Sequence, residues 1–254
     1  MLLSSAMLLI GGQQKRTQFN QSIRDIQSKI DDMINSAQTG YYNNPGNFNC
    51  SATPSGPRFG ASVTNTQGKN AGCIFLGKAM HFGVGGDEEA YSIYSVAGNR
   101  ESAGSEVTSL ADALPKAVHP HNSDNAADST ERGDLNYGLQ ARKMYYDDGA
   151  RHAIGAVAFM SSFAQSGGSG LVSGSKTTDL WPVTGTGLGD DETDVVDQIS
   201  SGLTVRNPSG GVVVCFEDQG TDQYGVITIG GAGRLVSTTL QILDKATAEA
   251  GVCS

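Results

Sequence analysis

The chain has 254 residues, 17 Lys and Arg against 26 Asp and Glu, a formal net charge of −9, and 34 glycines. Its length fits one large domain or two small ones. Its acidity argues against a general binder of nucleic acid, because phosphates demand clustered Lys and Arg. The charge is uneven: residues 1–40 carry Lys15, Arg16, Arg24 and Lys29 against Asp25, Asp31 and Asp32, which leaves −10 on the rest.

The first forty residues read as an apolar end running into one amphipathic helix. Leu2, Leu3, Met7, Leu8, Leu9 and Ile10 make the apolar end. From Phe19 the apolar positions continue at Ile23, Ile26, Ile30, Met33 and Ala37, in steps of three and four that hold one helix face. Gln21, Arg24, Asp25, Lys29, Asp31, Asp32 and Asn35 occupy the other side, and Gly40 stands where a C-cap is expected. Helical throughout, residues 1–39 would form a rod of roughly 60 Å. An apolar run of about ten residues is half of what crosses a bilayer. No basic region precedes it, as a signal peptide requires, so the natural chain is expected to begin upstream of Met1. A soluble helix with a frayed apolar tip is the plain alternative.

Residues 40–254 are expected to form a strand-rich body. Tyr41–Gly60 is dense in Asn, Pro and Gly and reads as a loop. Strand candidates follow at Ala61–Thr64, Gly72–Gly83 and Ala90–Val96. Residues 99–138 read as a polar insertion loop with one short helix near Ser109–Leu114. Tyr145–Tyr146 and His152–Phe163 read as a hairpin around Asp147-Asp148-Gly149, and 164–195 as a second long loop around the single Trp181. Gly211–Glu217, Tyr224–Ile229 and Arg234–Leu243 read as an antiparallel meander, one face of which would receive the helix stripe. The fold class is therefore α+β, a long N-terminal helix packed on an antiparallel sheet or sandwich.

Cys50, Cys73, Cys215 and Cys253 lie more than twenty residues apart, without the close spacing of a zinc or redox site. Two disulfides in an oxidising compartment suit their even number. Three pairings are open, and the local pairs Cys50–Cys73 and Cys215–Cys253 are preferred over the others and over four buried thiols.

Chemistry is sparse, and neither a catalytic set nor a cofactor is expected. His119 and His121, with Asp124 or Asp128 nearby, read as solvated imidazoles in a Pro-containing loop rather than a metal site; His81 and His152 complete the histidines. Ser173 and Lys176 match a Ser-x-x-Lys spacing without a helix to present it. The acidic run Asp190, Asp191, Glu192 and Asp194 offers oxygen ligands of the kind Ca²⁺ takes but lacks EF-hand spacing, as do Asp218 and Asp222. The glycines of Gly83–Gly86 are followed by Asp87, Glu88 and Glu89, which repel phosphate.

The stretch SSAMLLIGGQQKRTQFNQSIRDIQSKIDDMINSAQTGYY resembles the second half of a type IV pilin helix. The segment VVVCFEDQGTDQYGVITIGGAGRLVSTTLQI is similar to the last strands of H-class minor pseudopilins, including Gly233-Arg234 before the final strand. The family's processing signal and its assembly glutamate have no counterpart here; the fifth residue is Ser5. The resemblance implies a non-enzymatic subunit of a bacterial pilus or secretion pseudopilus, anchored in the membrane before assembly. Leu2, Leu3, Met7, Leu8, Leu9 and Ile10 would then pack in the filament core, and Phe19–Met33 would fix the body to the helix. The implied partners are further subunits in a helical filament and the inner-membrane assembly machinery, with a cell-surface location. The alternatives are a minor pilin contacting a host surface or taking up DNA, and a secreted enzyme. The cations available for DNA would be Arg142, Lys143 and Arg151, or Arg206 and Arg234.

Overall fold

A computed structural model describes residues 2–40, 48–61, 72–102, 104–123, 127–162, 177–230 and 235–254, with the side chains of 2–12, 48 and 61 outside that description. Helix α1 runs Leu2–Thr39, and Gly40 follows it at φ +64°, the left-handed turn that ends a helix most cheaply on glycine. Strands β1 (Phe48–Ser51) and β2 (Arg58–Ala61) form a small hairpin. Then come β3 (Cys73–Phe82), β4 (Ala90–Asn99), β5 (Glu101–Ser102), β6 (Ser105–Glu106), helix α2 (Leu110–Ala113), β7 (Lys116–Ala117) and β8 (Glu131–Asp134). Strands β9 (Leu139–Asp147), β10 (Arg151–Ala153), β11 (Ala156–Ser161) and β12 (Thr178–Val183) precede helix α3 (Glu192–Ser201). The chain ends with β13 (Gly211–Asp218), β14 (Gln223–Ile229), β15 (Thr238–Asp244) and helix α4 (Lys245–Ala250).

The class is α+β, and the described strands form several sheets rather than one sandwich. Two are large and antiparallel. One has the order β10-β9-β13-β14-β15; the other runs β12-β11-β3-β4-β7, with β8 also pairing β4. Each uses its alternating side chains on both faces, as strands covered on both sides must. In β13, Val212, Val214 and Phe216 enter the central core, whereas Val213 and Cys215 point the other way, toward Ala248 of α4. In the six-stranded sheet, Met80, Phe82, Val157 and Phe159 face the centre, while Ala79, Tyr94, Ala158 and Met160 face Val195, Val196 and Ile199 of α3. The two central faces meet through Phe82 and Phe216, whose rings lie edge to face at 5.3 Å.

Helix α1 completes this central core, and it lies against both sheets, on β3 and β11 of one and β9 and β15 of the other. Phe19, Ile23, Ile26, Ile30, Met33 and Ala37 are all buried, and Ile34 joins them. Each large side chain stabilises the assembly by about 1.5–3 kcal/mol. The expected single strand face is thus corrected: the stripe is wide enough to be gripped by two sheets. Gly225 of β14 permits the approach, since a Cβ there would lie 2.7 Å from the tip of Ile23.

Several loop and strand boundaries are also corrected. Tyr41–Gly60 contains β1 and most of β2, with 41–47 outside the described residues. Of Ala61–Thr64 only Ala61 is described, as the end of β2. The span 99–138 contains four strands wholly within it, α2 and two 3-10 turns; only its short helix was expected there, and Ser109 caps it by accepting from the Asp112 N–H. The span 164–195 includes β12 and the start of α3, and its residues 164–176 lie outside the described ones. His152–Phe163 is two strands in two sheets. Arg151–Ala153 closes the hairpin on Asp147, and Gly155 then passes so near Gly187 that a Cβ would meet its carbonyl oxygen at 2.0 Å. The final strand begins at Thr238, not Arg234, and 231–234 lie outside the described residues.

The disulfides are Cys50–Cys73 and Cys215–Cys253. The first ties β1 to the start of β3; the second ties β13 to the chain end beyond α4. In the chain-entropy picture each contributes about 3–4 kcal/mol by restricting the unfolded chain. Ile30→Ala should lower unfolding stability by about 2–5 kcal/mol in urea denaturation, because a fully buried residue between two sheets leaves a cavity that cannot close. Cys215→Ser with Cys253→Ser should cost about 3–4 kcal/mol in the same measurement.

Candidate functional site

The N-terminal helix is the most unusual element, and its two halves behave differently. From Ser22 onward it is locked to the body by polar contacts around the buried stripe. Ser22 Oγ donates to the Asn136 carbonyl at 2.8 Å, and Gln27 Nε2 to Thr238 Oγ1 at 3.1 Å. Thr238 Oγ1 donates to Asp31 Oδ1 at 2.8 Å. Near its end the helix carbonyls of Ile34 and Ala37 receive Thr178 Oγ1 and Ser161 Oγ. Lys29 pairs with Glu131; partial burial lowers its pKa, but the hydrogen bond and charge of Glu131 outweigh that and hold it above the ordinary lysine value.

Toward the N-terminus Gln13–Thr17 are exposed, and Lys15 lies against Gly220 in the turn between β13 and β14. The helix continues from there to Leu2, about 20 Å further at the usual rise. Leu2, Leu3, Met7, Leu8, Leu9 and Ile10 fall on this continuation, and their side chains lie outside the described ones. Among the described residues no helix is long and apolar enough to cross a membrane.

The acidic run beside α3 belongs to a polar cluster at that helix's N-terminus. A register row across the six-stranded sheet places His81, Ser92 and Arg132 side by side on the α3 face. Glu192, in the first turn of α3, receives Arg132 Nε at 2.8 Å and Nη2 at 2.7 Å, and Ser92 Oγ at 2.6 Å. His119 Nε2 lies 3.3 Å from its other oxygen, and Arg132 also reaches Asp128 Oδ2 at 3.1 Å. Burial opposes ionisation of Glu192, but the bonds from Arg132 and Ser92 prevail and hold its carboxyl below the usual range. His81 is fully buried, and neither ring nitrogen has a hydrogen-bond partner among the described residues. Burial pushes its pKa down, outweighing the nearby Gly187 backbone and the charges of Asp190 and Glu192. The Tyr94 hydroxyl is buried and unpartnered in the same sense, and burial raises its pKa.

This arrangement does not gather the four candidate Ca²⁺ ligands. Asp190 Oδ2 accepts from the Gly187 N–H at 2.6 Å, Glu192 is taken by Arg132, and Asp191 and Asp194 are exposed. Among the described residues no group of three or more His, Cys, Asp or Glu is placed to hold a metal ion. His119 is buried and paired, which corrects its expected solvated state, while His121 pairs with Asp197 at 3.1 Å on the surface. Asp124, Ser173 and Lys176 lie outside the described residues. His152 stacks on Tyr146 at 4.8 Å beside Asp148. Asp218 receives the Gly220 N–H, and the Asp222 carbonyl receives Lys245 N–H, so both are turn-forming residues.

The cations named for DNA are separated and largely neutralised. Arg142 joins Glu88 and Glu217; Arg151 donates to the Gly251 carbonyl and lies over the Tyr145 ring at 5.0 Å. Lys143 lies 5.9 Å from the same ring, Arg206 pairs with Asp179 at 2.9 Å, and Arg234 is outside the described residues. Sequence reasoning placed Trp181 in a loop; it stands instead on edge strand β12, beside a cleft. The β-branched and apolar run Leu180-Trp181-Pro182-Val183 was the available signal, and Pro182 fits an edge strand.

No family model, no curated protein and no solved structure matches this chain.

Of the cluster's titrating groups, His81 and Glu192 act in one direction. A histidine and a carboxylate whose folded pKa values are depressed give stability present above their unfolded values and lost as pH falls through the folded ones. Stability measured by denaturant titration should therefore decline below about pH 6.5 through His81 and again below about pH 4.5 through Glu192. His81→Phe should flatten the first decline. Glu192→Gln should flatten the second and cost about 1–3 kcal/mol at pH 7, since Arg132 and Ser92 lose a charged acceptor.

Proposed function

We propose that this protein is a structural, non-catalytic subunit of a bacterial surface filament or secretion pseudopilus of the type IV pilin kind, assembling through α1. One observation carries the reading. A single continuous helix, Leu2–Thr39, is embedded in the core from Phe19 onward and continues beyond its last described contact at Lys15 with the most apolar run of its sequence. A globular body needs only the second half of such a helix for its own core. The first half supplies an apolar surface for neighbouring copies, or for a membrane before assembly, and subunits related by a non-closing operation stack into a filament. The two disulfides fit a body displayed outside the cytoplasm. The partners are other copies of the subunit and the membrane-bound assembly machinery, with host surfaces open to the exposed loops; the dispersed, paired arginines argue against DNA.

The test is mass spectrometry of sheared surface filaments and of the membrane fraction from the producing cell, compared with a Leu8→Glu variant. The expected result is recovery of the wild-type N-terminal peptide in the filament fraction. The variant should be lost from filaments while its body melts at the wild-type temperature. A wild-type protein found only as soluble monomer, or a variant that still enters filaments, overturns the reading.

A further inference from the structure

On the α3 face of the six-stranded sheet, β12 presents Asp179 and Trp181, two positions apart and so on the same side. Trp181 stands opposite Ala158, and Ala158 opposite Ala79. A methyl-sized neighbour therefore lies beside the only tryptophan of the chain, which remains partly exposed. A cleft of about 450 Å³ opens here between α2, β11 and β12, and the chain leaving α3; Leu110, Leu114, Leu203, Trp181, Asp179 and Arg206 line it. Its volume falls in the roughly 300–1,000 Å³ range of small-molecule sites.

The polar groups of the cleft are held in place. Asp179 is 6 % exposed and receives Asn207 Nδ2 and Arg206 Nη2, each at 2.9 Å. The Arg206 side chain is 42 % exposed, and its planar guanidinium carries five N–H donors, more than one carboxylate oxygen uses. Leu114 lines the cleft as the C-cap of α2, in the left-handed conformation that ends a helix at φ +52°, and it is exposed. An exposed leucine and a partly exposed indole thus give the cleft an apolar wall that is open to solvent.

We propose that this cleft binds a neutral saccharide, with one sugar ring stacked on the Trp181 indole and its hydroxyls hydrogen-bonded by the Asp179–Arg206 pair. A sugar ring offers an apolar C–H face, which an aromatic ring buries. Its rim of hydroxyls both donates and accepts, which suits a carboxylate and a guanidinium fixed side by side. A wholly apolar ligand would desolvate two charged groups without replacing their hydrogen bonds. An anionic ligand would meet Asp179 and the field of a chain carrying −9. The inference is independent of filament assembly, because binding is read on the isolated full-length chain.

The experiment is an array of neutral and acidic mono- to tetrasaccharides probed with the full chain, followed by titration of intrinsic fluorescence with the best-retained neutral sugar. Because Trp181 is the sole tryptophan, its emission reports on the cleft directly. The expected result is a saturable emission change, and at least about a tenfold loss of affinity in Arg206→Gln and Trp181→Ala. Arg206→Gln keeps an N–H donor beside the buried Asp179, so the chain is expected to fold with a modestly lowered melting temperature, and it serves as the test if Trp181→Ala does not fold. Retention of no neutral saccharide, preference for acidic ones, an unchanged emission spectrum, or full binding by a folded Arg206→Gln chain would each overturn the proposal.

Discussion

Everything else in this molecule depends on burying one face of α1 between two sheets. Neither sheet has enough central surface to close over itself, and the apolar stripe of the helix cannot stay in water. Phe19, Ile23, Ile30 and Met33 therefore fill the space that Phe82, Phe159, Val214, Phe216 and Ile227 leave open. The helix acts as a shared third component of a core that either sheet alone would leave incomplete. Its flanking contacts are polar, so positional specificity comes from Ser22 and Lys29 on one side and from Gln27 and Asp31, both on Thr238, on the other.

The outer faces are closed by smaller devices. Helix α3 covers the far side of the six-stranded sheet with Val195, Val196 and Ile199, and its first turn is fastened by the two-pronged contact of Arg132 with Glu192. Helix α4 covers the far side of the other sheet and is held there by the Cys215–Cys253 bridge and by Lys245 on Glu217. Glu217 sits between Arg142 and Lys245; burial opposes its charge, and the two cations overcome that opposition and depress its pKa. Acidic side chains thus form much of the stitching at the edges of the body, although the sequence presents them only as an excess of negative charge.

Local patterns were legible wherever one physical rule dominated. The three-and-four spacing from Phe19 to Ala37 located the buried helix face, because a helix has one period and one apolar side. The run Gly211–Glu217 announced a strand covered on both faces, and Ser109 marked the start of a short helix. Reading failed where spacing in the chain says nothing about partners in space. Residues 99–138 looked like a loop because strands of two to four residues are too short to show alternation. His152–Phe163 looked like one strand because a Gly155 crossing between sheets leaves no mark except the glycine itself. The run Asp190–Asp194 read only as an acidic turn with oxygen ligands to spare, because Arg132, sixty positions from Glu192, cannot be foreseen as its partner.

The sequence by itself determined the class of this protein: an amphipathic helix continuous with an apolar end, a glycine-rich strand body and cysteines spaced for local bridges. Those features follow from periodicity and composition, which act over a few residues. Only the tertiary structure decided that the helix is shared by two sheets, that Glu192 is bound to Arg132, Ser92 and His119, and that Trp181 borders a cleft with Asp179 and Arg206. Each of these depends on register between distant strands, and register is fixed by the simultaneous burial of many side chains rather than by any short stretch of chain.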